Sequence, residues 1–380
     1  MKILFVVNEL NFFLRNHLNL AVSIGKLHDV LLIADTSKSS AQDIESLAKL
    51  NINLYPLNRN KSSIKALSYL SFVFSLGALI KRIKPSFIFY ITLELSFFGS
   101  LISYFVKVKQ SIFVVTGLGP FFFKKDLKYK FFNAILRCSF LLLSILKKNF
   151  MFIFLNSADQ ELLNNKYNIH STKSKLIHGE GINESEFRFI SRETTTIRFL
   201  FASRLVKSKG IEVFVSVAKD LKKLYPQVEF CLAGIFDSVN PEAISKELFQ
   251  EISESDHINF LGEVPHHQME DYYHKHSVFV LTSEREGLPK AAAEAASTGM
   301  PLILSDVPGC RDCIKDNNSG ILVSYNHSNE LYSAMERFIT ESGLIASMGK
   351  QAAMHAKENF SLKVIAEQYS KILQDNSSKA

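Results

Sequence analysis

The stretch Ser283-Glu-Arg-Glu-Gly-Leu-Pro-Lys-Ala-Ala-Ala-Glu-Ala-Ala-Ser-Thr-Gly299 decides how this chain reads. A short apolar run, Ser277–Leu281, leads into a polar loop, and the loop feeds an alanine-rich helix. Strand, loop and helix in that order are the repeating unit of a parallel sheet covered on both faces. Pro289 suits a first helical turn, where its missing N–H costs nothing. The N–H groups of Gly287, Leu288 and Lys290 then point out of the helix end, a site for phosphate or sugar oxygens. Glu286 falls on the loop and Glu294 inside the helix. Eight residues at ~1.5 Å rise would part the two acids by about 12 Å, too far to share one proton. They suit opposite ends of one ligand, or else they are solvated glutamates on an exposed helix.

Working outward, the same alternation fills the chain. In the second half, Ile197–Ala202, Glu229–Ala233, Ile258–Phe260, Pro301–Ser305 and Gly320–Val323 read as strands, and Gly210–Leu224 as a helix. In the first half the predicted strands are Lys2–Val7, Asp29–Ala34, Phe87–Ile91, Ser111–Val115 and Met151–Leu155. Helices are predicted at about Asn16–Leu27, Ile64–Ile83, Leu95–Val106 and Tyr129–Lys147. The polar stretch Ser191–Thr196 separates the halves. The expectation is two doubly wound α/β domains, 1–190 and 191–360, facing across a cleft, with a final helix and tail at 361–380.

Charge is divided unevenly. The net charge is +7, but residues 51–150 carry 15 basic and 2 acidic side chains, and residues 1–190 hold 22 of the 32 phenylalanines. Cations set among apolar side chains suit an anionic bilayer surface better than nucleic acid, whose basic patches lack the long aliphatic and Phe runs. Lys124, Lys125, Lys128 and Lys130 lie in this region. A packed core with a solvated basic face is the competing reading. Ala66–Ile80 and Phe131–Leu146 fall short of the roughly 20 apolar residues needed to span a membrane. Ile3–Val7 is too short for a signal-peptide core. Cys138, Cys231, Cys310 and Cys313 are too scattered for a disulfide framework, and a reducing cytoplasm fits. Cys310 and Cys313 have C-x-x-C spacing, with no second pair to complete a zinc site.

Several motifs then fall in one order. Phe201-Ala-Ser-Arg-Leu-Val-Lys-Ser-Lys-Gly210 places Arg204 and Lys209 on a strand-to-helix loop, a clamp for a diphosphate. Leu261-Gly-Glu-Val264, the Glu286–Glu294 stretch and Ser305-Asp-Val-Pro-Gly-Cys-Arg311 follow; Gly179-Glu-Gly-Ile-Asn183 and Phe187 precede. This order resembles the retaining glycosyltransferases of family 4, of GT-B architecture, over about residues 175–330. It is most similar to bacterial members that build surface polysaccharides on undecaprenyl diphosphate. The resemblance implies that Arg204 and Lys209 hold the donor diphosphate and that Glu294 binds the ribose. It implies that Glu286 contacts the donor sugar, and that Gly287, Leu288, Pro289 and Lys290 line its oxygens. Glu263 and Val264 lie where the family holds the nucleobase by backbone contacts. No metal or other cofactor is implied.

The first domain follows the family less closely. In place of a glycine-rich loop stands Asn8-Glu-Leu-Asn-Phe-Phe-Leu-Arg-Asn-His17, in which Arg15 is the candidate for an acceptor diphosphate. In place of a sugar-contacting histidine stands Thr116-Gly-Leu-Gly119, whose Gly117 and Gly119 backbone groups either substitute or merely turn the chain. Glu94, the lone acid between Glu45 and Asp126, either orients the acceptor hydroxyl or pairs with a nearby lysine. His178, His266, His267 and His274 show no catalytic spacing and read as surface or loop groups.

The function implied is transfer, with retention, of an N-acetylhexosamine or hexose from a UDP-sugar to a polyprenyl-diphosphate-linked saccharide in O-antigen or capsule synthesis. The expected location is cytoplasmic, peripheral on the inner face of the plasma membrane. A nucleotide-sugar epimerase of the same architecture and a catalytically silent nucleotide-sugar-binding subunit are the alternatives.

Overall fold

The computed structural model describes residues 1–58, 65–118, 122, 127–145, 149–192, 196–315, 318–341 and 343–375. The chain divides into two compact units, Met1–Gly181 with Leu362–Ala380, and Ile182–Ser361.

The first unit is built on a seven-stranded parallel sheet. Its strands are β1 (Lys2–Glu9), β2 (Asp29–Asp35), β3 (Asn53–Pro56), β4 (Phe87–Ile91), β5 (Gln110–Val115), β6 (Phe150–Phe154) and β7 (Ser174–Leu176). Their order is β3-β2-β1-β4-β5-β6-β7. Strands β4, β5 and β6 are buried along their whole length, so both faces must be apolar, which is why they read as unbroken hydrophobic runs. The phenylalanines fill the two faces as ladders. Phe5 pairs in register with Phe89 and stacks on it at 5.1 Å. On the opposite face Tyr90 stacks on Phe113, which meets Phe152 at 5.2 Å. Much of the phenylalanine that the composition sets against lipid is therefore core. An apolar remainder stays exposed: Leu70 and Phe74 on the helix Lys65–Ile83, Phe105, and Ile145 at the end of the helix Leu127–Ile145.

The second unit has a six-stranded parallel sheet of β8 (Arg198–Ala202), β9 (Glu229–Ala233), β10 (Asn259–Gly262), β11 (Val278–Leu281), β12 (Leu302–Ser305) and β13 (Gly320–Val323). Their order is β10-β9-β8-β11-β12-β13. In each sheet the strand order reverses once, between β1 and β4 and between β8 and β11. At such a reversal the following helices leave to opposite faces and open a crevice at the carboxyl ends of the strands.

Three expectations about organisation shift. The division falls at 181/182 instead of near 190, because residues 182–192 are fastened to the second unit. Ile182 donates to the Phe360 carbonyl at 2.7 Å. Arg188 forks onto Glu270, and the buried Arg192 donates to the carbonyls of Gly299 and Thr298. The final helix, Leu362–Asp375, belongs to the first unit, with Tyr369 packed on Phe89 at 5.6 Å. The helix expected at 16–27 is Leu18–Gly25, and a further helix, Leu10–Asn16, precedes it across His17. Gly119, Lys124 and Lys125 lie outside the described residues. Among the described residues no helix is long and apolar enough to cross a membrane, and the four cysteines are unpaired.

Candidate functional site

The motif residues of the second unit gather at its sheet reversal. Chain leaving β8 carries Arg204 and Lys209, and chain leaving the neighbouring β11 carries Glu286. Three loops are fastened backbone to backbone. Gly210, at φ +70, lies so close to Thr282 that an added Cβ would stand 2.2 Å from its carbonyl oxygen. Thr282 donates its hydroxyl to the Gly210 carbonyl at 2.9 Å, and the Glu284 N–H donates to the Ser208 carbonyl at 2.8 Å. Behind them, the loop after β12 supports the Glu286 turn. Glu286 N–H donates to the Pro308 carbonyl at 3.2 Å, and the Ser305 hydroxyl donates to the Ser283 carbonyl. Gly309, at φ +82, packs where a Cβ would meet the Glu286 and Gly287 carbonyl oxygens at 2.6 Å. No L side chain fits there without moving the turn.

This framework brings Lys209 Nζ to 2.5 Å from Glu286 Oε1, and the Ser283 hydroxyl donates to the same oxygen at 2.6 Å. Both charged side chains are under one fifth exposed. A half-buried ion pair of this kind is held by neighbours, since burial costs each charge its hydration. Arg204, earlier on the same loop as Lys209, is exposed. Gly287 and Leu288 are half-buried, and Pro289 is the N-cap of the helix Lys290–Ser297, one position earlier than a first-turn proline.

Glu294 lies on that helix with only 2% of its surface exposed. A carboxylate so placed needs partners, and two hydrogen bonds and one longer ion pair reach it. His266 Nε2 lies 2.8 Å from Oε1, Tyr273 donates its hydroxyl to Oε2 at 3.1 Å, and Lys290 Nζ lies 3.6 Å from Oε1. Burial, then the Glu294 charge, raises the Tyr273 pKa well above that of a free tyrosine, so its hydroxyl stays a donor. Glu263 is exposed and Val264 half-buried just beyond β10; Gly262, at φ +68, faces open space. The sequence reads His266 as a surface or loop group and marks Tyr273 only as one more aromatic. Neither has a spacing signal, because both reach Glu294 across more than 20 residues of chain.

The first unit has a smaller polar cluster at its own reversal. Asn8, near the end of β1, donates to Thr92 Oγ1 and to Glu94 Oε2, each at 3.4 Å. Thr92 follows β4 with φ 100, a conformation that β-branched residues rarely adopt, and it caps the helix Leu93–Ile102, whose first turn holds Glu94. Glu94 is thus held by an asparagine on the neighbouring strand end. Gly117 has φ 143 just after β5. Arg15 is exposed on the helix Leu10–Asn16, its Nε donating to the Asn11 carbonyl at 3.3 Å. His17, fully buried, lies 3.9 Å from Glu180. Among the described residues no group of three or more His, Cys, Asp or Glu side chains is placed to hold a metal.

Two family models match the chain, one within each unit. The family described as "Glycosyl transferases group 1" matches residues 183–355, and "Glycosyl transferase 4-like" matches residues 2–150. The chain is similar to a Campylobacter jejuni N,N'-diacetylbacillosaminyl-diphospho-undecaprenol alpha-1,3-N-acetylgalactosaminyltransferase. The two are 24% identical over 86% of this chain and 87% of that protein. It is 32% identical to the Escherichia coli O-antigen biosynthesis glycosyltransferase WbnH, over 40% of this chain and 44% of that protein. Among solved structures it resembles a Thermosynechococcus elongatus sucrose-phosphate synthase, with TM-score 0.81, 17% identity and 100% of both chains covered. It also resembles Anabaena HepE in complex with UDP and glucose, with TM-score 0.77, 17% identity, and 99% of this chain and 100% of that one covered.

Proposed function

The chain belongs to the group 1, 4-like glycosyltransferases, and within that family we propose that it moves a sugar from a UDP-sugar to a polyprenyl-diphosphate-linked saccharide, with retention of configuration. The observation that carries the donor reading is the meeting of Lys209 and Glu286 at the β8/β11 reversal, with buried Glu294 one helix away. A diphosphate with its sugar has the charge and hydroxyls to engage both members of that pair: phosphate oxygens take Lys209 and Arg204, and sugar hydroxyls take Glu286. Glu294 then receives the ribose hydroxyls, and the backbone at Glu263 and Val264 the base. Departure of the nucleoside diphosphate builds negative charge, and a fixed cation with helix-end N–H groups stabilises it. No metal or other cofactor is needed in this scheme. The bond from the anomeric carbon to the phosphate oxygen breaks, and the acceptor oxygen bonds to the same face. The acceptor proton passes to the departing phosphate. A sugar covalently attached to the protein during turnover would exclude this front-face course.

On the acceptor side, Glu94, held by Asn8 at the β1/β4 reversal, orients the attacking hydroxyl, with Arg15 and the Gly117 turn as diphosphate contacts. The undecaprenyl-diphosphate substrate in the name of the Campylobacter relative supports this acceptor class. The exposed Leu70, Phe74, Phe105 and Ile145, in a half rich in lysine, suit peripheral attachment to the inner face of an anionic membrane. Titration with UDP tests the donor reading: UDP binds the wild type, and Lys209→Met weakens it at least about 10-fold, the scale of a lost charge-assisted contact. Absence of UDP binding to folded protein contradicts it. For the membrane, Leu70→Ser with Phe74→Ser releases the protein from anionic vesicles; unchanged sedimentation contradicts that part.

A further inference from the structure

Glu294 is the most enclosed acid of the second unit's site, and its surroundings carry more information than its family role. A carboxylate has about four acceptor positions. On Oε1 one is occupied, by His266 Nε2, and on Oε2 one, by Tyr273, while Lys290 adds its charge from 3.6 Å. The contacts come from two pieces of chain: the turn His266–Gln268 with the helix Met269–Lys275 that directly follows it, and the helix Lys290–Ser297 itself. Phe187 braces two of them, with ring centroids 5.6 Å from His266 and 5.9 Å from Tyr273. The carboxylate plane is therefore set before any ligand arrives, with capacity left for one or two further donors.

His266 has a second connection. It stands two residues beyond Val264, in the segment assigned above to the nucleobase, and Gly262 at the head of that segment faces open space. One imidazole thus joins the chain that meets the base to the acid that meets the ribose. Either protonation state with a proton on Nε2 donates to Glu294, so the link does not depend on His266 being charged.

We propose that His266, seconded by Tyr273, is a positioning residue for the nucleotide: it aims Glu294 at the ribose hydroxyls, and discrimination against nucleotides lacking those hydroxyls depends on it. This rests on the reading of the second unit as the nucleotide-binding one. A site built to hydrogen-bond a hydroxyl rejects the analogue without it, because its own polar groups are left unpaired. If His266 acts through Glu294 on those hydroxyls, its removal should matter only when they are present.

The test is titration of UDP and 2′,3′-dideoxy-UDP into wild type, His266→Ala, His266→Gln and Tyr273→Phe, with circular dichroism to check folding. The wild type prefers UDP by roughly 10-fold or more. His266→Ala weakens UDP about 10-fold and the dideoxy nucleotide less than about 3-fold, so the preference collapses. His266→Gln, whose amide places an N–H near the same point, recovers most of the loss. In turnover, His266→Ala raises the donor KM and leaves kcat within about 3-fold, as loss of uniform binding does. Equal weakening of both nucleotides, or no recovery with Gln, overturns the assignment alone. A folded wild type that binds no UDP overturns the nucleotide reading beneath it.

Discussion

Gly309→Ala is the perturbation whose size the structure sets most directly. The residue has φ +82, and its Cβ would lie 2.6 Å from two carbonyl oxygens, those of Glu286 and Gly287. Both belong to backbone, so no side-chain rotation relieves the contact. The left-handed conformation alone costs an alanine roughly 1–2 kcal/mol. Forcing a methyl into a filled space adds about 1–3 kcal/mol. Gly343 is the matched control: φ +81, with nothing within 4 Å of an added Cβ, so only the first cost applies. At about 2–4 °C per kcal/mol for a unit of this size, Gly309→Ala should melt roughly 2–12 °C below Gly343→Ala. The assay is differential scanning calorimetry, following the transition that UDP raises. The Glu286 turn must also shift. UDP-sugar turnover in Gly309→Ala should therefore fall by about 10-fold or more, as misplaced contacts do, while Gly343→Ala turns over normally. Equal melting temperatures and equal turnover in the two variants would refute the claim that the loop after β12 holds the Glu286 turn.

Lys209→Met should lower kcat by about 10²–10³, the scale of removing one preorganised donor from a developing anion, with Lys209→Arg retaining part of it; turnover within 3-fold of wild type contradicts the role. Glu94→Gln should lower kcat roughly 10²-fold at unchanged UDP affinity, and a change in UDP affinity instead would move Glu94 out of the acceptor side. Acid should weaken the second unit through His276. Burial first, with Arg198 and Arg192 nearby, lowers its pKa against the opposing pull of the Tyr272 carbonyl and Glu229. The unfolded chain therefore binds a proton at His276 that the folded one refuses, so stability is full above about pH 6.5 and falls as pH drops below it. His276→Gln should flatten the melting temperature between pH 7.5 and 5.5, and an unchanged slope would exclude His276 as its source.

The sheets were legible in the sequence because strands covered on both faces read as short apolar runs: Phe87–Ile91, buried throughout, Glu229–Ala233 and Gly320–Val323 carry the same limits in sequence and structure. What escaped is amphipathic or short. The helix Ser157–Tyr167 is mostly polar, and β3 and β7 are edge strands of four and three residues. The last helix reads correctly as a helix, but its return to the first unit depends on Tyr369 meeting Phe89, a contact across 280 residues of chain that no local pattern announces. The site divides the same way. Lys209, Glu286 and Glu294 announce themselves as charges beside glycine, proline and alanine, where a core would have none. His266 and Tyr273 act by reaching Glu294 from another segment, and nothing in their own neighbourhoods marks them. The basic, phenylalanine-rich first half carries a mixed message, since many of its rings, on strands and helices alike, are buried, while Phe74 and Phe105 face outward.

The most direct test of the account is UDP release from a UDP-sugar panel, with and without a short polyprenyl-diphosphate-linked saccharide. The account expects release from one donor that requires the acceptor and yields an acceptor lengthened by one sugar of retained configuration. An isomerised donor sugar without acceptor, or nucleotide binding with neither reaction, would contradict it.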